Sequence, residues 1–353
     1  MRPQIVDAEQ AVACIKDRAT ICVGGSGAGH AIPENLLVAL GARFASTGTP
    51  RGLQVIHPCG VGDSAVLGLN HLAQEGLVAR AIGGFWGNGP KMTELAMAEK
   101  IEAYNWPQGV LCHLMRAAAA KRPGVITTTG LHTFVDPRIE GGRINTTTTT
   151  NLNEVVTLDG REYLFFRTQP VDVALIRGTS VDKEGNLTSE GEVGTFSMLS
   201  MAQAARTNGG KVIVQVKAVE DGRHADPCTV KVPAALIDYV VVEPNQPMTY
   251  LTDHDLALVK RDAPIEDDQP LDGARKIASR RAALELREGA FVNVGYGVAD
   301  GVPQVAHSEG LLEHIVFLIE QGAIGGIPTT GLNFGAMFNP AAIIDDGYQF
   351  DFF

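Results

Sequence analysis

The residue type best suited to covalent chemistry here is a carboxylate that follows an apolar run. Residues 315–319 are Ile-Val-Phe-Leu-Ile, the next residue is Glu320, and Gly322, Gly325 and Gly326 follow it. A short apolar run bounded by turn residues fits a buried strand. The glycines let the chain bend and let a ligand approach the backbone closely. Such strand ends are where open α/β sheets bind ligands. A carboxylate can attack an activated acyl group and form an anhydride, dividing a hard exchange into easier steps. That chemistry needs an ionised Glu beside donors that stabilise the oxyanion on the attacked carbonyl. The apolar strand before Glu320 raises its pKa by desolvation and the turn amides after it lower it. The sequence does not decide between them. The pattern alone also leaves the ordinary alternative open, because a Glu at a strand end is commonly a solvated boundary residue.

Two glycine loops supply the other candidate chemistry. Gly24-Gly25-Ser26-Gly27-Ala28-Gly29-His30 follows a strand-like run at 20–23, and Pro33 opens the helix after it. Asn293-Val294-Gly295-Tyr296-Gly297-Val298-Ala299-Asp300-Gly301-Val302-Pro303 repeats that order: strand, glycine loop, proline, helix. The echo is a weak internal repeat and predicts two related α/β halves. Neither loop has the G-x-G-x-x-G spacing, and neither is followed at the right distance by an acid closing a strand, which speaks against a nicotinamide or flavin site. No phosphate-binding G-x-x-x-x-G-K-[ST] run and no G-x-S-x-G elbow occurs. His57-Pro58-Cys59 and Cys112-His113 stand alone without a second pair at metal-ligand spacing. No metal or organic cofactor is expected.

The elements that must position these residues read as follows. Helices are predicted over 7–17, 33–40, 110–120, 198–207 and 271–288, and strands over 20–23, 53–56, 124–128, 171–176, 211–216 and 239–242. This alternation predicts an α/β fold with a largely parallel sheet. Runs at 154–158 and 162–166, joined by Asp159-Gly160-Arg161, predict a hairpin added to that sheet. The threonine run Thr146 to Thr150 is expected to be an exposed strand or loop without chemistry. Residues 251–270, with Pro264, Asp267, Asp268 and Pro270, form the expected linker between a first domain, 1–250, and a second, 271–353. Arg275, Lys276, Arg280 and Arg281 cluster on the helix after it, usually a solvated face but one that can serve phosphates.

The bulk numbers narrow the class. The 353 residues are 45% hydrophobic and 20% charged, with 40 glycines, a composition of soluble globular enzymes rich in tight turns. A formal net charge of −11 argues against nucleic acid and anionic membranes as partners. Any polyanionic ligand must then be met by local cations. The five cysteines are scattered and read as reduced thiols. No signal-like start and no membrane-length apolar run is present, so the expected compartment is the cytoplasm.

Taken together, these residues resemble the family I coenzyme A transferases, of the single-chain type with fused α and β parts that acts on short-chain acyl groups. Glu320-Gln321-Gly322-Ala323-Ile324-Gly325-Gly326-Ile327-Pro328 is similar to the family's nucleophile motif, which makes Glu320 the catalytic glutamate. The loop from Asn293 to Pro303 looks like the one opening the second domain, and Gly24 to Gly27 with Pro33-Glu34-Asn35 like the signature of the first. The resemblance implies that Gly25, Ser26, Gly27, Asn293, Gly295, Gly297, Val298, Gly325 and Gly326 bind substrate or CoA. Trp106-Pro107-Gln108-Gly109 matches a turn whose glutamine helps form the oxyanion hole, with a backbone N–H of the Gly297–Val298 loop as its partner. Read by itself, Gln108 would cap the helix over 110–120. Tyr296 and Asp300 replace smaller or apolar residues common in that loop. The family's second domain runs on past the position of Phe353, so the resemblance implies a CoA-transferase fold whose second α/β half is incomplete.

The implied reaction is ping-pong exchange of CoA between a short-chain acyl-CoA and a free carboxylic acid, with CoA as substrate, no cofactor, and a homo-oligomer as the expected assembly. A CoA-ester hydrolase on the same scaffold and a non-catalytic binding module are the alternatives.

Overall fold

A computed structural model describes residues 2–265 and 271–352; Asp267, Asp268 and Pro270 of the expected linker lie outside them. The first half is built on eight strands in the order Gln4–Ile5, Tyr239–Val242, Lys211–Val216, Val173–Arg177, Thr20–Val23, Leu53–His57, Val78–Gly83, Glu102–Asn105. Every pairing in it is parallel. Successive side chains of a strand point to opposite faces, and here both faces are covered. Cys22, Ala174, Ile176, Val212 and Val214 join one core with the helices Gln108–Ala119 and Met198–Thr207. Ile21, Val23, Val173, Leu175 and Ile213 join the other, under the helix Glu34–Thr47. Burial on both sides explains the nearly unbroken apolar strand sequences.

Several expectations need correction. The opening helix is only Ala8–Val12, held by a reciprocal capping box between Asp7 and Gln10. The helix after the first glycine loop runs on to Thr47 and stops at Gly48, whose φ of 69° suits glycine. The hairpin does not extend the parallel sheet. Asn153–Leu158 and Arg161–Arg167 turn through Asp159 and Gly160, both at positive φ. They form a separate three-stranded antiparallel sheet with Gly124–Thr127. The threonine run, by contrast, is the loop expected of it, fastened by Glu99, which accepts from the hydroxyls of Thr146 and Thr147.

The second half repeats strand, loop and helix in Phe291–Asn293 and Val302–Ser308, but its sheet is mixed. Phe291–Asn293 pairs in parallel with Val316–Leu318, and Ala323–Ile324 and Ala342–Ile343 continue it antiparallel. Phe317, Ile319, Ala323 and Met337 form its small core. The described part of the linker is packed, not free: Leu258 is buried with Ala31, Phe196 and Ala336, and Ala257 O accepts from Asn339 N at 2.6 Å.

Candidate active site

Four neighbouring strands of the parallel sheet end in loops that converge on one cavity of about 370 Å³. Thr20–Val23 leads to Ser26 and Gly27, Leu53–His57 to Gly60 and Ser64, Val78–Gly83 to Gly84, Phe85, Gly87 and Asn88, and Glu102–Asn105 to Gln108. The second half closes it with Tyr296, Glu320, Gln321, Leu332 and Phe334. This is the crevice at strand carboxyl ends where α/β sheets bind ligands.

Glu320 is placed by the strand Val316–Leu318 and the tight turn after it, in which Gly322 N donates to Ile319 O at 3.0 Å. A Cβ on Gly322 would sit 2.1 Å from Ile344 O, so only glycine closes this turn. Burial pushes the Glu320 carboxyl above its ordinary value, against the opposing pull of its own backbone N–H and the Gln321 amide. The competition left open by the sequence thus goes to desolvation. Its carboxyl still keeps an open side toward the cavity.

Gln108 is the first residue of its helix and does not cap it; the cap position is Pro107, which has no side-chain bond to offer. Gln108 lines the cavity, and its Nε2 donates away from it, to the buried Cys59 Sγ at 2.7 Å. The Cys59 thiol is pushed up by burial, with Asp346 and Glu320 adding to the effect, so it rests as a neutral thiol. Trp86 stands behind this wall, edge-on to His57 at 5.6 Å, and donates to Tyr104 O at 3.2 Å.

The glycine loops divide by role. Gly27 lines the cavity and donates its N–H to Gly60 O at 2.7 Å, joining two of the converging loops. Gly25 lies outside the lining: with φ of 92°, its Cβ would fall 2.7 Å from His30 O, so it serves the turn. Gly297 and Val298 line an adjoining cavity of about 550 Å³ with Ala274, Arg275 and Asp300, which shares Tyr296 and Gly331 with the first. Asn293 and Gly295 are exposed and line neither cavity. Gly325 and Gly326 also line neither, because they pack against Ala341 and against the Phe338 carbonyl. Asp300 is buried, paired with Arg275, and accepts from Gly331 N at 3.1 Å. It therefore tethers the loop that carries Leu332 and Phe334. Tyr296 meets Phe334 edge-on at 5.9 Å and forms part of an apolar wall.

Sequence reasoning did not find Ser64, Phe85, Asn88, Gln321, Leu332 or Phe334. Each reaches the cavity on a loop or, for Leu332, a single short helical turn, and no spacing rule marks such residues. Among the described residues no cluster of three or more His, Cys, Asp or Glu could hold a metal, and no helix is long and apolar enough to cross a membrane.

Comparison with known proteins identifies the family and the fold. Residues 5–243 match the family described as Coenzyme A transferase. The chain is 43% identical to acetate CoA-transferase YdiF of Escherichia coli K12, over 100% of this chain and 67% of that protein. It is 39% identical to caffeate CoA-transferase of Acetobacterium woodii, over 99% of this chain and 68% of that one. The fold superposes on the crystal structure of the acyl-CoA transferase YdiF apoenzyme of E. coli O157:H7 with a TM-score of 0.93, covering 99% of this chain and 67% of that chain. The same score is reached against a YdiF thioester complex with CoA. The chain thus spans about two thirds of the length of these relatives. On this ground it belongs to the coenzyme A transferase family.

Proposed function

We propose that this chain exchanges CoA between a short-chain acyl-CoA and a free carboxylic acid through covalent intermediates on Glu320. The observation that carries the proposal is the convergence of a half-buried, desolvated carboxylate and a glutamine amide that does not cap its helix, from opposite halves, on one cavity. A Glu320 oxygen attacks the thioester carbonyl carbon, the C–S bond breaks, and CoA leaves as thiolate. The product on the enzyme is an acyl-glutamyl anhydride. The thiolate then attacks the glutamyl carbon, the first acid departs as carboxylate, and a glutamyl-CoA thioester remains. The acceptor acid reverses both steps, so charge and atoms balance without an outside reductant or metal.

Gln108 fits the role of donor to the oxyanion, since its amide has only a weak sulfur acceptor to release. Desolvation of Glu320 favours attack, because a carboxylate stripped of water reacts more readily in a site whose dipoles are already fixed. Phe85, Tyr296, Leu332 and Phe334 give the acyl group an apolar wall.

The test is to incubate the protein with acetyl-CoA, digest it, and weigh the peptide containing Glu320. A CoA thioester on that peptide is the expected result; release of CoA without an adduct indicates hydrolysis instead, and the absence of both overturns the enzymatic reading. Glu320→Gln should abolish the adduct and lower turnover by at least about a thousandfold. Adduct formation should fall on acidification with a midpoint above the ordinary glutamate value of about 4.3, because the reacting form is ionised and burial raises its pKa.

A further inference from the structure

The helix Asp346–Phe352 takes no part in lining the cavity, yet it touches both of the elements that supply its reacting groups. Gln349 is buried, and its Nε2 donates to Ile319 O at 3.1 Å, the carbonyl immediately before Glu320. That carbonyl also closes the nucleophile turn by accepting from Gly322 N. The ring of the next residue, Phe350, fills the space beside Gly109, where a Cβ would meet it at 2.8 Å. Gly109 directly follows Gln108 on its helix. Asp346 fastens the same short helix at its start: it accepts from Cys112 Sγ at 3.2 Å and from Ser197 Oγ at 2.6 Å. Cys112 lies on the Gln108 helix, and Ser197 immediately precedes the helix Met198–Thr207. Arg116, on the former, pairs with Asp351 at 2.8 Å and lies over the Tyr348 ring at 4.5 Å.

We propose that this helix is a brace that sets the spacing between Glu320 and Gln108, with Gln349 as the positioning residue for the nucleophile. The inference rests on Glu320 being that nucleophile. The two groups come from different halves of the chain, and no other helix of the second half has Gln349's bond to the nucleophile turn together with contacts to the Gln108 helix among the described residues. An oxyanion donor works only when held within hydrogen-bond reach of the developing charge. A misplacement of about 1 Å far from the chemistry can cost about a hundredfold in rate. The brace therefore acts on rate, not on substrate affinity.

Two substitutions test it from opposite ends. Gln349→Leu keeps the volume but removes the donor to Ile319 O. Gly109→Ala drives a methyl group into the Phe350 ring while favouring the helix that carries it. Each is measured in the full chain by the rate of Glu320–CoA adduct formation against acyl-CoA concentration, and by a carbon-13 titration of the Glu320 carboxyl. The expected result is a saturating rate lowered by about tenfold or more, with the half-saturating concentration within about twofold of the parent. The Glu320 midpoint should fall toward the ordinary carboxylate range as the loosened turn admits water. Unchanged saturating rate and unchanged midpoint in a folded variant, whatever its melting temperature, would overturn the brace. If the parent forms no adduct, the transferase reading of Glu320 fails separately, and the midpoint alone decides whether the helix positions that carboxyl.

Discussion

In the proposed reaction Gln108 serves the chemistry and Asp346 its support, and each owes that place to what surrounds it. Gln108 is held only by a thiol, a poor acceptor, so its amide is available to a stronger one. Gln108→Ala should lower turnover by about a hundredfold while the Glu320 adduct still forms slowly, the loss expected for a single oxyanion donor; single-turnover kinetics checks this. Asp346 is the clearest titrating group of the support. Burial, with Asp345 adding to it, pushes its carboxyl up to about 7. Because the folded value lies above the unfolded one, its contribution is fully present at low pH and is lost as pH rises through about 7. Asp346→Asn keeps an acceptor for Ser197 and cannot ionise. Its Tm should therefore exceed the parent's at pH 8 and match it near pH 4, as thermal melts at the two values would show.

At the scale of elements, glycines with similar backbone angles have unlike duties. Gly25 and Gly297 have φ of 92° and 99°, but a Cβ at Gly25 meets the His30 carbonyl and one at Gly297 meets nothing within 4 Å. Gly25→Ala should cost about 3 kcal/mol, combining left-handed strain with a clash. Gly297→Ala should cost about 1 kcal/mol, from strain alone, and urea denaturation distinguishes them. This also explains how far the sequence could be read. Residues 171–176 and 211–216 were legible as strands because burial on both faces leaves them apolar. Val78–Gly83 and Glu102–Asn105 escaped notice because Arg80 and Glu102 interrupt them, and those two charges pair with each other across adjacent strands. The hairpin was legible from Asp159-Gly160, but its partner Gly124–Thr127 comes from a distant segment that no local pattern announces. Glu320 stood out first as a carboxylate between an apolar run and a glycine turn, and Gln108 only through motif resemblance. Ser64, Asn88 and Phe334 did not, because loops bring them in, while Gly325 and Gly326 show that a glycine in a motif can serve packing.

Across the whole molecule the two halves are unequally consolidated. The first surrounds its parallel sheet with two large cores, whereas the second has a small core and leaves Ile277, Leu284, Tyr296 and Val298 between 62% and 76% exposed. Regions with few buried apolar contacts open first. Amides of Phe291–Asn293 and Val316–Leu318 should therefore exchange with deuterium at least about tenfold faster than those of Val173–Arg177 and Lys211–Val216, measurable by exchange mass spectrometry. The placement of Trp86 has a practical corollary. The chain has two tryptophans, and Trp106 is sealed in the core at 1% exposure between Tyr104 and Phe166. Trp86 sits between Phe85 and Gly87, both of which face the cavity. The protein thus carries its own optical gauge: with Trp106 as a constant background, a change in indole emission on adding acyl-CoA reports occupancy of the wall beside Trp86, without any attached dye.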